Sequence, residues 1–393
     1  MCHLWVCPSG APAWPTAPPK PESVPAAEAN LTKESRAHNL QTRASLVVSA
    51  AVSEPARKRE LGRGERVLAG VYRLRLPLPW PGVPHGNAWA VKAGDGVVLF
   101  DTGYYTPPGP GEPGSMAQLE RALAMCGLAV EDIRLVVCTH AHSDHYGQAG
   151  AIVERTGCEL WMHPKYEHMS VEQQDPDATL ERRIEVARQS GVPEEPLRRY
   201  AAEREHHESG ISAVIAPDRK LLPGVVVNTD LGPWSVYETP GHAPSHVCLF
   251  QPERRLLISG DHLLGRISLF FDFGYSPDPV GEFVDSLGVV ERLGARLCLP
   301  GHGRTFTDVR AHIDGNRELV AERLEKVRGA VVSEPLTAFE IVPRIFSDEL
   351  ATHGGPWLLS ETLAMLTHLQ VVGQAESVGE DPKRWSATTH ATA

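Results

Sequence analysis

The chain has no basic excess, no paired-cysteine framework and no long hydrophobic run, and each absence removes a class of function. Lys and Arg number 38 against 49 Asp and Glu, for a net charge of −11. So acidic a surface is poorly matched to phosphate backbones or an anionic membrane, and neither is expected as a partner. The seven cysteines (2, 7, 126, 138, 158, 248 and 298) are odd in number, scattered and without a CxxC pair. They read as small apolar residues of a reduced, cytoplasmic protein. No apolar stretch approaches the roughly 18 residues of a membrane span. The first residues lack the basic and apolar regions of a secretory signal, and no repeat of about 20–50 residues is visible.

Residues 1–65 differ from the rest. "CPSGAPAWPTAPPKPESVPAAEAN" is rich in Pro, Ala and Ser, a composition that buries too little to fold, and is expected to be a disordered leader. From residue 66 to about 310, strand-like and helix-like segments alternate. "VYRLRLPLP" has the period-two pattern of a half-buried strand, and "NAWAVKA" and "GVVLFDTG" flank a "GDG" turn. "SMAQLERALAMCG" carries apolar residues at helical spacing, with Gly127 where the helix would stop. A charged helical pair fills an insert at about 165–210, a candidate substrate lid. Residues 311–375 turn mainly helical, and 376–393 read as a tail. The expected fold is α/β, two mixed sheets face to face with helices outside and a small helical domain after them.

The chemistry concentrates in "LVVCTHAHSDHYGQAG". Three histidines and an aspartate, His140, His142, Asp144 and His145, stand within six positions at the end of an apolar run. In an extended segment residues i and i+2 face the same way, so His140 and His142 can share one ion. Past Ser143 the chain turns, giving Asp144 and His145 a second position. Three further groups follow apolar strands beside glycine turns: His242 in "ETPGHAPSH", Asp261 in "LLISGDHLL" and His302 in "LCLPGHGRTF". Counting ligands gives His140, His142 and His242 for one metal, Asp144, His145 and His302 for another, and Asp261 as a bridge. Imidazole and carboxylate without thiolate suit Zn²⁺, with Fe or Mn as alternatives.

His140-Ala-His142-Ser-Asp144-His145 resembles the HxHxDH signature of the metallo-β-lactamase-fold superfamily, and the later His, Asp and His follow in that family's order. The resemblance covers roughly residues 68–310 and implies a four-layer αββα sandwich. It also makes Asp101, in "LFDTG", a residue that supports the ligands rather than joining them. It implies a dinuclear hydrolase whose shared hydroxide attacks the substrate, with Asp144 orienting the nucleophile and shuttling its proton. "TPGHAPSHV" and "GDHLL" resemble glyoxalase II and its thioesterase relatives. "PGHG", "NRELVAERLEKV" and "SETLAMLTHL" resemble the branch with a C-terminal winged-helix-like domain, some of whose members cleave RNA.

Residues 313–373 hold five Lys/Arg and nine Asp/Glu, a net −4 that disfavours a nucleic-acid-binding winged helix. That domain is expected instead to cap the pocket or mediate a homodimer. The expected substrate is a small ester, thioester or lactone; an endoribonuclease and a mononuclear iron persulfide dioxygenase are the alternatives. Among the other residues, His246 reads as structural, His262 as packing or support, and His163, His206 and His207 as solvated. Phe270, Phe271 and Phe273 offer either an acyl pocket or ordinary core, and Cys138 and Cys298 should be inert.

Overall fold

Two sheets form from the apolar runs. The computed structural model describes residues 61–80, 82–204, 209–346 and 355–388. The first sheet has seven strands in chain order: β1 (Arg63–Leu68), β2 (Val71–Trp80), β3 (Val83–Ala93), β4 (Gly96–Phe100), β5 (Ile133–Val137), β6 (Glu159–Met162) and β7 (Arg219–Lys220). Strands β1 to β4 pair antiparallel, whereas β4 to β7 run parallel. Parallel neighbours need long crossovers. These are α1 (Gly114–Ala124), then α2 (Ser143–Tyr146) with α3 (Ala149–Thr156), then the insert helices α4 (Glu167–Gln174), α5 (Pro176–Gln189) and α6 (Glu194–Arg204).

The second sheet contains β8 (Val226–Thr229), β9 (Gly232–Glu238), β10 (Val247–Gln251), β11 (Leu256–Gly260) and β12 (Leu297–Pro300), in the order β12-β11-β10-β9-β8. Only β11 and β12 are parallel, joined through α7 (Pro279–Leu293). Alternation along the strands divides the core. Val71, Trp89, Val91, Val98 and Phe100 meet Trp234, Val236, Leu249 and Ile258 between the sheets. The intervening Leu74, Leu76, Ala90, Val97 and Leu99 pack outward with Leu119, Leu123 and Ile152 of the helices. This is the expected αββα sandwich.

The C-terminal unit comprises α8 (Val309–Ala330), β13 (Leu336–Thr337), α9 (Ala338–Ile345), α10 (Gly355–Val371), β14 (Ala375–Val378) and β15 (Arg384–Ala387). Its strands form a small sheet, β13-β15-β14. Asp308 caps α8, and Thr337 with Glu340 forms a capping box on α9. The described part of the segment read as a tail, residues 376–388, therefore carries structure. The β14–β15 hairpin completes the unit by burying Trp385 against its helices. The leader boundary also moves, because β1 begins at Arg63, inside the segment read as disordered. None of the helices among the described residues is long and apolar enough to cross a membrane.

Part of the insert packs against the C-terminal unit. Ala187, Val192 and Leu197 join the apolar cluster of the C-terminal unit. Main-chain N–H groups of Phe339 and Lys383 donate to the carbonyls of Ser190 and Gln189. His163, expected to be solvated, is buried with Nε2 2.9 Å from Glu238 Oε1. His206 and His207 lie outside the described residues.

Candidate metal centre

The parallel segments send their C-terminal ends to one rim. Strands β4 and β5 deliver Asp101 and the 139–145 segment, while β11 and β12 deliver Asp261 and His302. Strand β9 is antiparallel to β10, as β11 is, and so carries His242 to the same side. The seven side chains expected to hold metal converge there, six of them buried and His302 nearly so. His140, His142 and His242 form one donor group; Asp144, His145, Asp261 and His302 form the other.

Each imidazole is oriented through the nitrogen that faces away from the centre. His140 Nδ1 donates to Thr139 Oγ1 (3.0 Å), whose hydroxyl reaches Asp101. His142 Nε2 donates to Asp272 Oδ2 (3.1 Å), and His145 Nδ1 to Asp101 Oδ2 (2.9 Å). His242 Nδ1 and His302 Nδ1 donate to the carbonyls of Phe270 (3.1 Å) and His85 (3.2 Å). In the first group the opposite nitrogens are left as bare lone pairs. His142 Nδ1 stands 3.0 Å from both His140 Nε2 and His242 Nε2. Three lone pairs that close repel unless a cation lies between them; nitrogens bound tetrahedrally at about 2.0–2.1 Å would be spaced similarly.

The second group tells the same story with carboxylates. His302 Nε2 is 3.0 Å from Asp144 Oδ2 and 3.3 Å from Asp261 Oδ2. His145 Nε2 is 3.4 Å from Asp144 Oδ2 and 3.3 Å from Asp261 Oδ1. Asp144 Oδ1 is buried without any partner in the protein, and Asp144 Oδ2, Asp261 Oδ1 and His145 Nε2 meet only one another and His302, without good hydrogen-bond geometry. Such orphaned groups are costly unless something else satisfies them, and a divalent cation does. Asp261 Oδ2 also lies 3.7 Å from His242 Nε2, which places Asp261 between the two groups.

The electrostatics suit cations. Burial, then neighbouring histidines, drives His140 well below the usual imidazole range, and burial drives His142 down likewise. Burial also brings His242 down to about 4. All three are therefore neutral ligands at pH 7. Burial opposes charge on His302, but Asp261 and Asp144 still raise it to about 10. Burial would raise Asp261 and Asp144, yet His302 and His145 hold both carboxyls well below their usual range. Both carboxyls are therefore ionised at pH 7.

Glycine makes room for this arrangement. A Cβ on Gly301 would strike Asp261 Oδ1 and lie 2.6 Å from His145 Cε1. Asp101 sits at φ +60°, a left-handed conformation that aspartate tolerates. It spends both oxygens locally, Oδ1 accepting from Thr139 N (2.7 Å) and Oδ2 from His145. Asp101 thereby contacts both the segment that carries His140 and the ring of His145. His246 is structural, with Nδ1 on Thr239 Oγ1 and Nε2 accepting from Asp261 N. His262 is buried, its ring 5.0 Å from that of Phe283. Phe271 is core, whereas Phe270 lies 5.5 Å from the His242 ring and 5.9 Å from the His142 ring.

Two participants escaped the sequence reading. Asp272, buried, holds His142 by its side chain and donates its main-chain N–H to the His242 carbonyl (3.1 Å). His168 of α4 approaches the same carboxylate, Nε2 to Oδ2 3.5 Å, while its Nδ1 donates to Lys165 O. A charged residue between phenylalanines, in "FFDFG", was the signal available.

A family model of the metallo-β-lactamase superfamily matches residues 81–302, and the chain belongs to that superfamily. The probable metallo-hydrolase YqjP of Bacillus subtilis (strain 168) is 27% identical over 284 residues, covering 70% of this chain and 85% of its own. The crystal structure of a metallo-β-lactamase family protein from Thermus thermophilus, TTHA1429, superimposes with a TM-score of 0.69 at 27% identity, covering 82% of this chain and all of that one. An atrochrysone carboxyl ACP thioesterase of Aspergillus chevalieri is 29% identical over 119 residues, 29% of this chain and 35% of its own. The chain is accordingly a metal-dependent hydrolase whose His and Asp clusters are suited to divalent ions.

Proposed function

We propose that the chain is a dinuclear zinc hydrolase of small esters, thioesters or lactones, with thioesters foremost. The observation that carries this reading is Asp261, which stands between two complete donor groups at the rim. The nitrogen and oxygen donor set favours zinc over softer ions. Two bound divalent cations would polarise the scissile carbonyl and acidify the attacking water.

The chain's own residues do the rest. Asp144 shares Oδ2 with His302, while Oδ1 has no protein partner. It is placed to take the proton of the attacking water and deliver it to the leaving thiolate or alkoxide. Asp101 and Asp272 keep imidazoles of the second and first groups aimed, so the donors need little reorganisation on binding. Phe270, against His142 and His242, gives the acyl side an apolar wall. The thioesterase named among the relatives supports the choice of leaving group.

The test combines metal analysis of the purified protein with initial rates on an N-acetylcysteamine thioester, a lactone and a phosphodiester. Two zinc ions per chain and turnover of the thioester or lactone are expected. Turnover confined to the phosphodiester, or a folded His142→Ala variant that keeps full activity, would refute the reading.

A further inference from the structure

Alternation along β2 puts Leu74, Leu76 and Leu78 on one face. Leu74 and Leu76 join the core beneath the outer helices, but Leu78 leaves it. With Trp80 and Tyr104 it forms a small separate cluster, in which the Trp80 and Tyr104 rings meet edge to face at 5.7 Å. Val83 of β3 and Trp357 of α10 pack against this cluster. Satellite clusters commonly serve only to pin a loop. This one reaches the metal centre at both of its ends.

At the first end stands Leu78. A Cβ on Gly86 of β3 would lie 3.8 Å from Leu78 Cδ1, 3.6 Å from His302 Cε1 and 3.7 Å from the Asp144 carbonyl oxygen. The space of one missing side chain therefore separates the leucine from the second donor group. At the other end stands Trp357, its ring 6.2 Å from that of Phe270. Phe270 in turn lies 5.5 Å from the His242 ring and 5.9 Å from the His142 ring, both of the first group. An arc of apolar side chains thus joins one donor group to the other along the rim.

The arc is not closed off as core. Phe270, Trp357 and Val83 are each only half-buried, so apolar surface remains on it beside the centre. None of its members carries a charge, and covering such surface with an apolar group is favourable, whereas an ionised group would be desolvated there without a partner. We propose that the arc holds the acyl group of the substrate and that Trp357, supplied by the C-terminal unit, is the residue that selects it. The substrate class becomes an ester or thioester whose acyl group is uncharged, apolar and long enough to pass Phe270 and reach the indole. This rests on the hydrolase reading of the neighbouring centre, but its first test needs no turnover.

In the zinc-loaded protein, acetohydroxamic and hexanohydroxamic acids are titrated calorimetrically against wild type, Trp357→Ala and Trp357→Leu. The two probes share a metal-chelating head and differ only in the length of the apolar tail. Each buried methylene strengthens binding about fourfold, so the longer probe should bind wild type at least about tenfold more tightly. That advantage should shrink about threefold or more in Trp357→Ala and by less in Trp357→Leu. The comparison is made within each variant, so a general weakening of the centre cancels. In the second arm, acetyl, hexanoyl and succinyl thioesters of N-acetylcysteamine are compared by kcat/KM. Hexanoyl should lead, succinyl should trail, and the ratio of hexanoyl to acetyl should fall in Trp357→Ala by the same factor as the binding advantage. If the hydroxamates behave as stated but no thioester is turned over, the hydrolase reading fails and the apolar site stands. Equal affinity of wild type for the two hydroxamates, binding of neither, or an advantage unchanged in Trp357→Ala would overturn the site. The wild-type comparison decides even if the variants do not fold.

Discussion

Replacing Asp272 with asparagine should loosen one metal and spare the other. The carboxylate accepts from His142 Nε2 at 3.1 Å with both groups buried. Asparagine preserves the volume but removes the charge that makes this acceptor strong and raises the basicity of the ring. Losing such a partner typically lowers metal affinity 10–100-fold, or about 1.4–2.7 kcal/mol. The loss should fall on the group of His140, His142 and His242, because the Asp272 carboxylate bonds the His142 ring of that group. Asp101→Asn is the counterpart, since Asp101 accepts from His145 in the second group. Chelator-competition titrations with zinc should resolve two binding steps in the wild type. Asp272→Asn should weaken one step and Asp101→Asn the other. If both variants weaken the same step, or neither weakens any, the division into two separately supported groups is wrong.

Removing metal with a chelator should lower the melting temperature by at least about 5 °C, reversed by zinc, because saturating ligand adds a few kcal/mol to a domain of this size; differential scanning fluorimetry reads it. Gly301→Ala should cost the second metal outright, since its Cβ collides with Asp261 and His145; metal content should drop from two ions towards one, and retention of both would contradict the packing. Thiol labelling of the folded protein at pH 8 should spare Cys138, Cys248 and Cys298. Burial raises all three, Cys248 to about 12, and mass mapping after partial labelling with a disulfide reagent would show any of them modified if the burial is wrong.

The seven candidate donors could be picked out because each follows an apolar strand and stands next to a turn, so local pattern alone put them at strand ends. The order of the motifs then resembled one family. What escaped lacked that local signature. Asp272 sits in the irregular stretch between β11 and α7, where no periodicity says which way a side chain points, and its role depends on a histidine 130 positions earlier. Strand β1 was hidden because it is an edge strand with mostly exposed or half-buried side chains, giving no hydrophobic alternation. The β14–β15 hairpin hid behind polar residues, with Trp385 supplying most of its apolar anchor. His163 looked solvated because its partner, Glu238, belongs to the other sheet.

The irregular stretch between β11 and α7 also explains why the C-terminal unit matters to a centre it does not ligate. Phe270 and Asp272 together hold His242 at its ring nitrogen and main-chain carbonyl and His142 at its ring. That stretch is itself held from behind. Ser360 of α10 donates to the Phe271 carbonyl at 3.0 Å, His368 of the same helix bonds Asp278 at 2.9 Å, and the Trp357 ring lies 6.2 Å from that of Phe270. From the insert, Arg182 of α5 donates to the Tyr275 hydroxyl and stacks over its ring. A backbone segment without a sheet ladder needs such props to keep two imidazoles fixed, because loops otherwise sample many conformations. Loosening the props should therefore cost first-group metal affinity before it costs the fold. Ser360→Ala combined with His368→Ala should weaken only the zinc step that Asp272→Asn weakens, and by less. A weakening of both steps together, or a collapse of the far-ultraviolet circular dichroism, would mean that α10 stabilises the sandwich as a whole rather than this segment.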